Sequence, residues 1–72
     1  MKNKVIDFAG TVKALREQHN YSLYFVAKTL GITPTSYRNY EIGKCRPEYE
    51  NLVKLANLYD VSIDFLLGND KI

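Results

Sequence analysis

The chain has 72 residues, a formal net charge of +2, one Cys and one His, which allows a single small domain whose core stays marginal unless helices pack well or a partner adds buried surface. Cys45 has no second Cys for an internal disulfide, Cys45 and His19 alone make no metal site, and no segment approaches the roughly 18 consecutive apolar residues of a membrane span. No cofactor, metal or membrane contact is therefore expected, and a lone thiol fits a reducing cytoplasm.

The opening MKNKVIDFAG has too short an apolar run for a signal peptide. Its first few residues and residues 69–72 are expected to lie outside the fold. A first helix is predicted from about Asp7 to His19, with Phe8, Val12 and Leu15 on its buried stripe and Asn20 at its end. Ser22 offers an oxygen to cap a second helix, on which Val26, Ala27 and Leu30 share one face. Gly31 ends that helix, because glycine takes the left-handed conformation without a side-chain penalty. Ile32 is expected to plug the corner.

Thr33 caps a third helix, predicted to run to about Ile42, whose first position is Pro34, where a missing N–H costs nothing. Two helices joined by so short a turn must cross steeply. Ala27 is small where they pack closest, and Tyr37 and Tyr40, three apart, face inward. Thr35, Ser36, Arg38 and Asn39 are left mostly outside, a polar face suited to the major groove of DNA. Thr35 and Asn39 lie four apart and are the first candidates for base contact. Asn grips adenine through paired hydrogen bonds, and Thr combines a hydroxyl contact with methyl packing on thymine. Arg38 beside them reads guanine, holds a phosphate, or stands as a solvated charge. The Ser36 and Thr33 hydroxyls are candidate phosphate contacts near helix N–H groups, with capping the main role of Thr33.

In Gly43-Lys44-Cys45-Arg46-Pro47, Gly43 lets the backbone turn and approach closely, so the N–H groups of Gly43 and Lys44 are candidates to meet a phosphate. Lys44 and Arg46 add charge there, and Cys45 is read as an ordinary small residue. Two further helices are predicted, Glu48 to Tyr59 and Ser62 to Leu67, separated at Asp60-Val61. Leu52, Leu55, Ala56 and Val61 are expected to close the core, with Leu66 beneath. Ile63, Phe65 and Leu67 cannot all face inward on so short a helix. The fold class is all-α, a compact bundle of about five helices forming one domain with its core at about residues 8–68. Its charge is uneven. Residues 8–46 carry Lys13, Arg16, Lys28, Arg38, Lys44 and Arg46 against Glu17 and Glu41, whereas residues 47–72 carry Glu48, Glu50, Asp60, Asp64 and Asp70 against Lys54 and Lys71. The basic part is the part with the bend, as a DNA-facing surface requires.

Four pieces, VKALREQHNYS, VAKTLGIT, YEIGKCRP and ENLVKLANLYDVSIDFLLG, resemble in order and spacing the phage-repressor and Cro class of helix-turn-helix proteins, the XRE family. The resemblance runs from about Phe8 to Gly68. It implies a lambda-repressor-like DNA-binding domain whose recognition helix is the third. It further implies that Arg16 braces Glu41 and can approach a phosphate, and that dimerisation uses the C-terminal end, where Ile63, Phe65 and Leu67 are the candidates. Four positions depart from the family pattern, one of them Cys45, which stands where relatives often have a basic or polar residue. Tyr21 replaces a usual Leu and puts a ring into a core corner. Pro34 stands where relatives often read a base and can only pack, as on a thymine methyl. Leu23 replaces a Gln that clamps phosphate and recognition helix, and the Leu23, Tyr24 and Phe25 trio suits a protein contact, with a core place as the other reading of Phe25.

Two functions follow from the residues and the resemblance together. One is a homodimeric transcription regulator, a repressor of phage or other mobile-element type, binding a palindromic double-stranded DNA operator through the major groove. The alternative is a protein-interaction module on the same fold, an antitoxin or anti-regulator with weak or lost DNA binding. An enzyme is not expected: His19 is alone, no Ser or Cys has an evident base, and so small a bundle leaves little room for a substrate pocket.

Overall fold

Capping side chains start four of the five helices in the computed structural model, which describes residues 7–68. The opening segment and residues 69–72, expected outside the bundle, lie outside the described residues. Helix α1 (Phe8–Gln18) begins where an Asp7 carboxylate oxygen accepts the Gly10 N–H at 3.1 Å. In α2 (Leu23–Leu30) the Ser22 hydroxyl oxygen accepts the Phe25 N–H at 3.0 Å, and in α3 (Pro34–Glu41) the Thr33 oxygen accepts the Ser36 N–H at 3.1 Å. Ser62 does the same for Phe65 at 2.9 Å in α5 (Ile63–Leu66). Only α4 (Tyr49–Tyr59), preceded by Glu48, lacks a side-chain cap. Each such cap satisfies a helix donor that has no intrahelical partner and contributes about 1 kcal/mol.

The first four helices also end alike. A residue in the left-handed conformation follows each: Asn20, Gly31, Gly43 and Asp60, with φ of 58°, 76°, 78° and 56°. The next N–H then reaches back to a carbonyl five residues earlier, Tyr21 to Arg16, Ile32 to Ala27, Lys44 to Asn39 and Val61 to Ala56, at 2.9–3.1 Å. These are Schellman turns, which satisfy the last carbonyls of a helix and reverse the chain within a few residues. They set helices against one another without long loops.

The core draws on every helix: Phe8, Val12 and Leu15, then Val26, Ala27 and Leu30, then Tyr37 and Tyr40, then Leu55, Ala56 and Tyr59, and Leu66. Helix α3 packs on both α2 and α1, while α5 packs on α4 and α1. Ile32 plugs the corner half-buried. Leu52 and Val61, expected to close the core, pack against it half-buried as well. Tyr59 was not expected inside. It lies four residues after Leu55 and three after Ala56, so it continues their stripe, and its ring meets those of His19 and Tyr21 at centroid separations of 5.3 and 6.2 Å. Tyr21 fills its corner as part of this aromatic cluster, and Phe25 lies on it at 4.7 Å while remaining exposed on its outer side.

Tyr37 has no exposed surface, and its hydroxyl stands 3.5 Å from that of Tyr59. Burial pushes both phenols above their ordinary value, Tyr37 the further, helped by the Glu41 carboxylate. A raised folded-state value means that stability is fully present below about pH 10, where unfolded tyrosine ionises, and is lost as pH climbs beyond it. The loss should approach about 1.4 kcal/mol per pH unit for each phenol. Melting temperatures measured from about pH 8 to about pH 11 should therefore fall steeply at the alkaline end, and Tyr37→Phe should make the fall shallower. A curve of equal steepness in that variant would remove Tyr37 as the cause.

Candidate nucleic-acid interface

The outward face of α3 is held in place from behind by one ion pair. Arg16, in the last turn of α1, donates from Nε to Glu41 Oε2 at 2.6 Å and from Nη2 to Glu41 Oε1 at 3.1 Å. Its Nη1 donates to the Tyr21 carbonyl at 3.1 Å. The side chains are 16% and 5% exposed, so the fork is largely withdrawn from water and fixes the end of α3 to α1 and to the turn before α2. Its hydrogen bonds to the Glu41 carboxylate hold the Arg16 guanidinium above its already high ordinary value. The brace implied by the resemblance is thus present as a geometry. The phosphate contact expected of Arg16 has less to work with, because all three guanidinium nitrogens already donate within the protein.

Thr35, Ser36 and Arg38 are exposed on α3 and Asn39 is half-buried. The Thr33 hydroxyl accepts the Ser36 N–H and donates its own proton to Ser36 Oγ at 2.9 Å. Its proton is spent, so capping accounts for Thr33, whereas the Ser36 hydroxyl proton is still free for a phosphate oxygen.

The turn after α3 corrects one expectation. The N–H of Gly43 donates to the Tyr40 carbonyl at 3.3 Å and that of Lys44 to the Asn39 carbonyl at 2.9 Å, so neither points at solvent to meet a phosphate. The Schellman turn consumes both. What the turn presents instead is side-chain charge: Lys44 is exposed, and Arg46 is exposed at the rim of a shallow apolar depression of about 80 Å³ walled by Phe8, Pro47, Leu52 and Leu67. Leu67 and Ile63 pack half-buried on the core, while Phe65 stays 41% exposed, so of the three candidates for a dimer contact Phe65 is the one that projects.

The Leu23, Tyr24 and Phe25 trio is divided by the fold. Phe25 turns to Tyr21, whereas Leu23 and Tyr24 line a crevice together with Pro34, Thr35 and Arg38. This juxtaposition was missed in the sequence, since it joins residues of two helices that no periodicity relates. Among the described residues, no group of three or more His, Cys, Asp or Glu side chains is placed to hold a metal ion, and no helix is long and apolar enough to cross a membrane.

A helix-turn-helix family model matches residues 12–66. The chain is 46% identical over 57 residues to the HTH-type transcriptional regulator AnsR of Bacillus subtilis, a match covering 79% of this chain and 49% of AnsR. It is 45% identical over 60 residues to the SPbeta prophage-derived uncharacterized HTH-type transcriptional regulator YonR of the same organism, covering 83% of this chain and 56% of YonR. It therefore spans about half the length of these relatives. Among solved structures it resembles the master regulator for biofilm formation SinR in complex with DNA, with a TM-score of 0.75 and 26% identity over 83% of this chain and 97% of that one.

Proposed function

Because the chain belongs to the helix-turn-helix family, we propose that it is a sequence-specific regulator of transcription, a cytoplasmic repressor of phage or mobile-element type that binds double-stranded DNA. The observation that carries this reading is the polar face of α3, with Thr35 and Arg38 exposed and Asn39 half-buried beside them, seated on the Arg16–Glu41 fork. A rigid helix with base-reading side chains on one face is what entry into a major groove needs. Thr35 and Asn39 contact bases, Pro34 packs against them, and Arg38 reads guanine or a phosphate. Ser36, Lys44 and Arg46 hold the backbone and make binding salt-sensitive. The relatives named as transcriptional regulators and the DNA-bound SinR structure support the same reading.

The repressor acts as a homodimer through Phe65, flanked by Ile63 and Leu67. Two-fold symmetry then places the two recognition helices roughly 34 Å apart, one turn of duplex, on a palindromic operator. Leu23 and Tyr24, beside Pro34 and Thr35, belong with the DNA-facing surface, which weakens the case for a separate protein-docking trio.

Selection from a randomised duplex pool at two salt concentrations tests this reading. A palindrome should be enriched, binding should weaken as salt rises, and Asn39→Ala should lower affinity for the enriched duplex by about 10- to 100-fold, the worth of a paired hydrogen bond to a base. Weak binding with no enriched motif would overturn sequence-specific regulation and favour a protein partner.

A further inference from the structure

The crevice beside α3 has a composition that the general reading leaves unused. Its volume is about 150 Å³, and it opens between the first turn of α2 and the exposed face of α3. Leu23 and Pro34 give it apolar walls, and the ring of Tyr24 adds a third. Thr35 and Arg38 bring a hydroxyl and a cation to the same opening. Leu23 also packs on the core, so its wall is fixed, whereas Tyr24 is 71% exposed and free to close over an occupant.

An occupant must match both halves of that lining. A pyrimidine edge with a methyl group does so: thymine presents in the major groove a C5-methyl next to its O4 acceptor, and no other unmodified base presents a methyl there. The methyl suits the apolar walls, O4 suits the Thr35 hydroxyl as donor, and Arg38 faces the negative charge of the backbone beyond. An apolar peptide side chain would match the walls but leave the cation and hydroxyl unpaired. The crevice is also continuous with the face proposed to read bases.

We propose that Leu23 and Tyr24 are specificity-determining residues that, with Pro34, close an apolar crevice around the C5-methyl of one thymine in each half-site. The proposal rests on the regulator reading above. It adds that base selection is shared between two helices, with α2 contributing methyl recognition and α3 the hydrogen bonds.

The test uses the duplex enriched from the randomised pool, with each thymine replaced in turn by deoxyuridine, which removes the methyl and nothing else. One position per half-site should lose about fourfold in affinity, the worth of one buried methyl group. In Tyr24→Ala and in Leu23→Ala that thymine-to-uracil ratio should fall to about one at the same position. The ratio is taken within each variant, so any loss of folded fraction in Leu23→Ala cancels, and the exposed Tyr24 provides a variant that leaves the core intact. A tightly bound duplex indifferent to uracil at every position, or a ratio that persists in either variant, overturns the methyl crevice and leaves the regulator reading standing. A pool that yields no enriched duplex overturns both.

Discussion

Replacing Arg16 with Ala should lower the melting temperature on the order of 15 °C. The substitution removes the cation and both of its hydrogen bonds from a Glu41 side chain that is only 5% exposed, and it removes the donor to the Tyr21 carbonyl. Orphaning one member of a buried pair costs more than the pair itself contributes, because the remaining charge has lost both water and counter-charge. For a fully buried pair the cost is about 3 to 5 kcal/mol, and the residual exposure of Arg16 places it near the lower end. In a 72-residue domain each kcal/mol moves the midpoint by about 4 to 8 °C. DNA affinity should fall as well, because Glu41 lies two residues beyond Asn39 and its tether sets where that amide stands. Thermal melts followed by circular dichroism check this, with Arg16→Met/Glu41→Leu as a control. The paired apolar replacement should recover much of the lost stability. A single variant melting within a few degrees of the parent would falsify the brace.

Phe65→Asp should act on assembly and leave the fold nearly untouched. Phe65 is 41% exposed on α5, while Leu66 beside it is fully buried and anchors the same turn. An aspartate on that projecting surface would place a charge in each half of the proposed two-fold interface, next to its own symmetry copy, where like charges repel and both must be desolvated. Sedimentation should report a monomer in place of a dimer. Affinity for the palindrome should drop by about 10² to 10⁴, since the second half-site is no longer engaged at the high effective concentration that linkage supplies. A variant that remains a tight dimer would move the interface away from α5.

How much of this was legible in the sequence divides along the range of the interactions involved. Ser22, Thr33 and Pro34 announced the starts of α2 and α3, and Gly31 the end of α2, because a cap or a Schellman turn is decided among residues three to five apart. The inward positions of α1, α2 and α3 followed from spacing for the same reason. Tyr59 escaped because a tyrosine at a helix end is equally at home on a surface, and only the arrival of Tyr37 from another helix gave its hydroxyl a buried partner.

The candidate site divides in the same way. Thr35, Ser36, Arg38 and Asn39 could be assigned to one side of a helix from their spacing alone. The family resemblance paired Arg16 with Glu41 across 25 residues, and the fold added the Tyr21 carbonyl as a third acceptor. Gly43 misled because its residue type signals a close backbone approach without saying what is approached. The sequence by itself determined the helices, their caps and reversals, and which faces are apolar, since these depend on local hydrogen bonds and periodicity. The tertiary structure alone decided that each nitrogen of the Arg16 guanidinium already donates to Glu41 or to the Tyr21 carbonyl, and that Leu23 and Tyr24 share a crevice with Pro34, Thr35 and Arg38. A donor can be used once, and which acceptor reaches it first depends on how the helices cross.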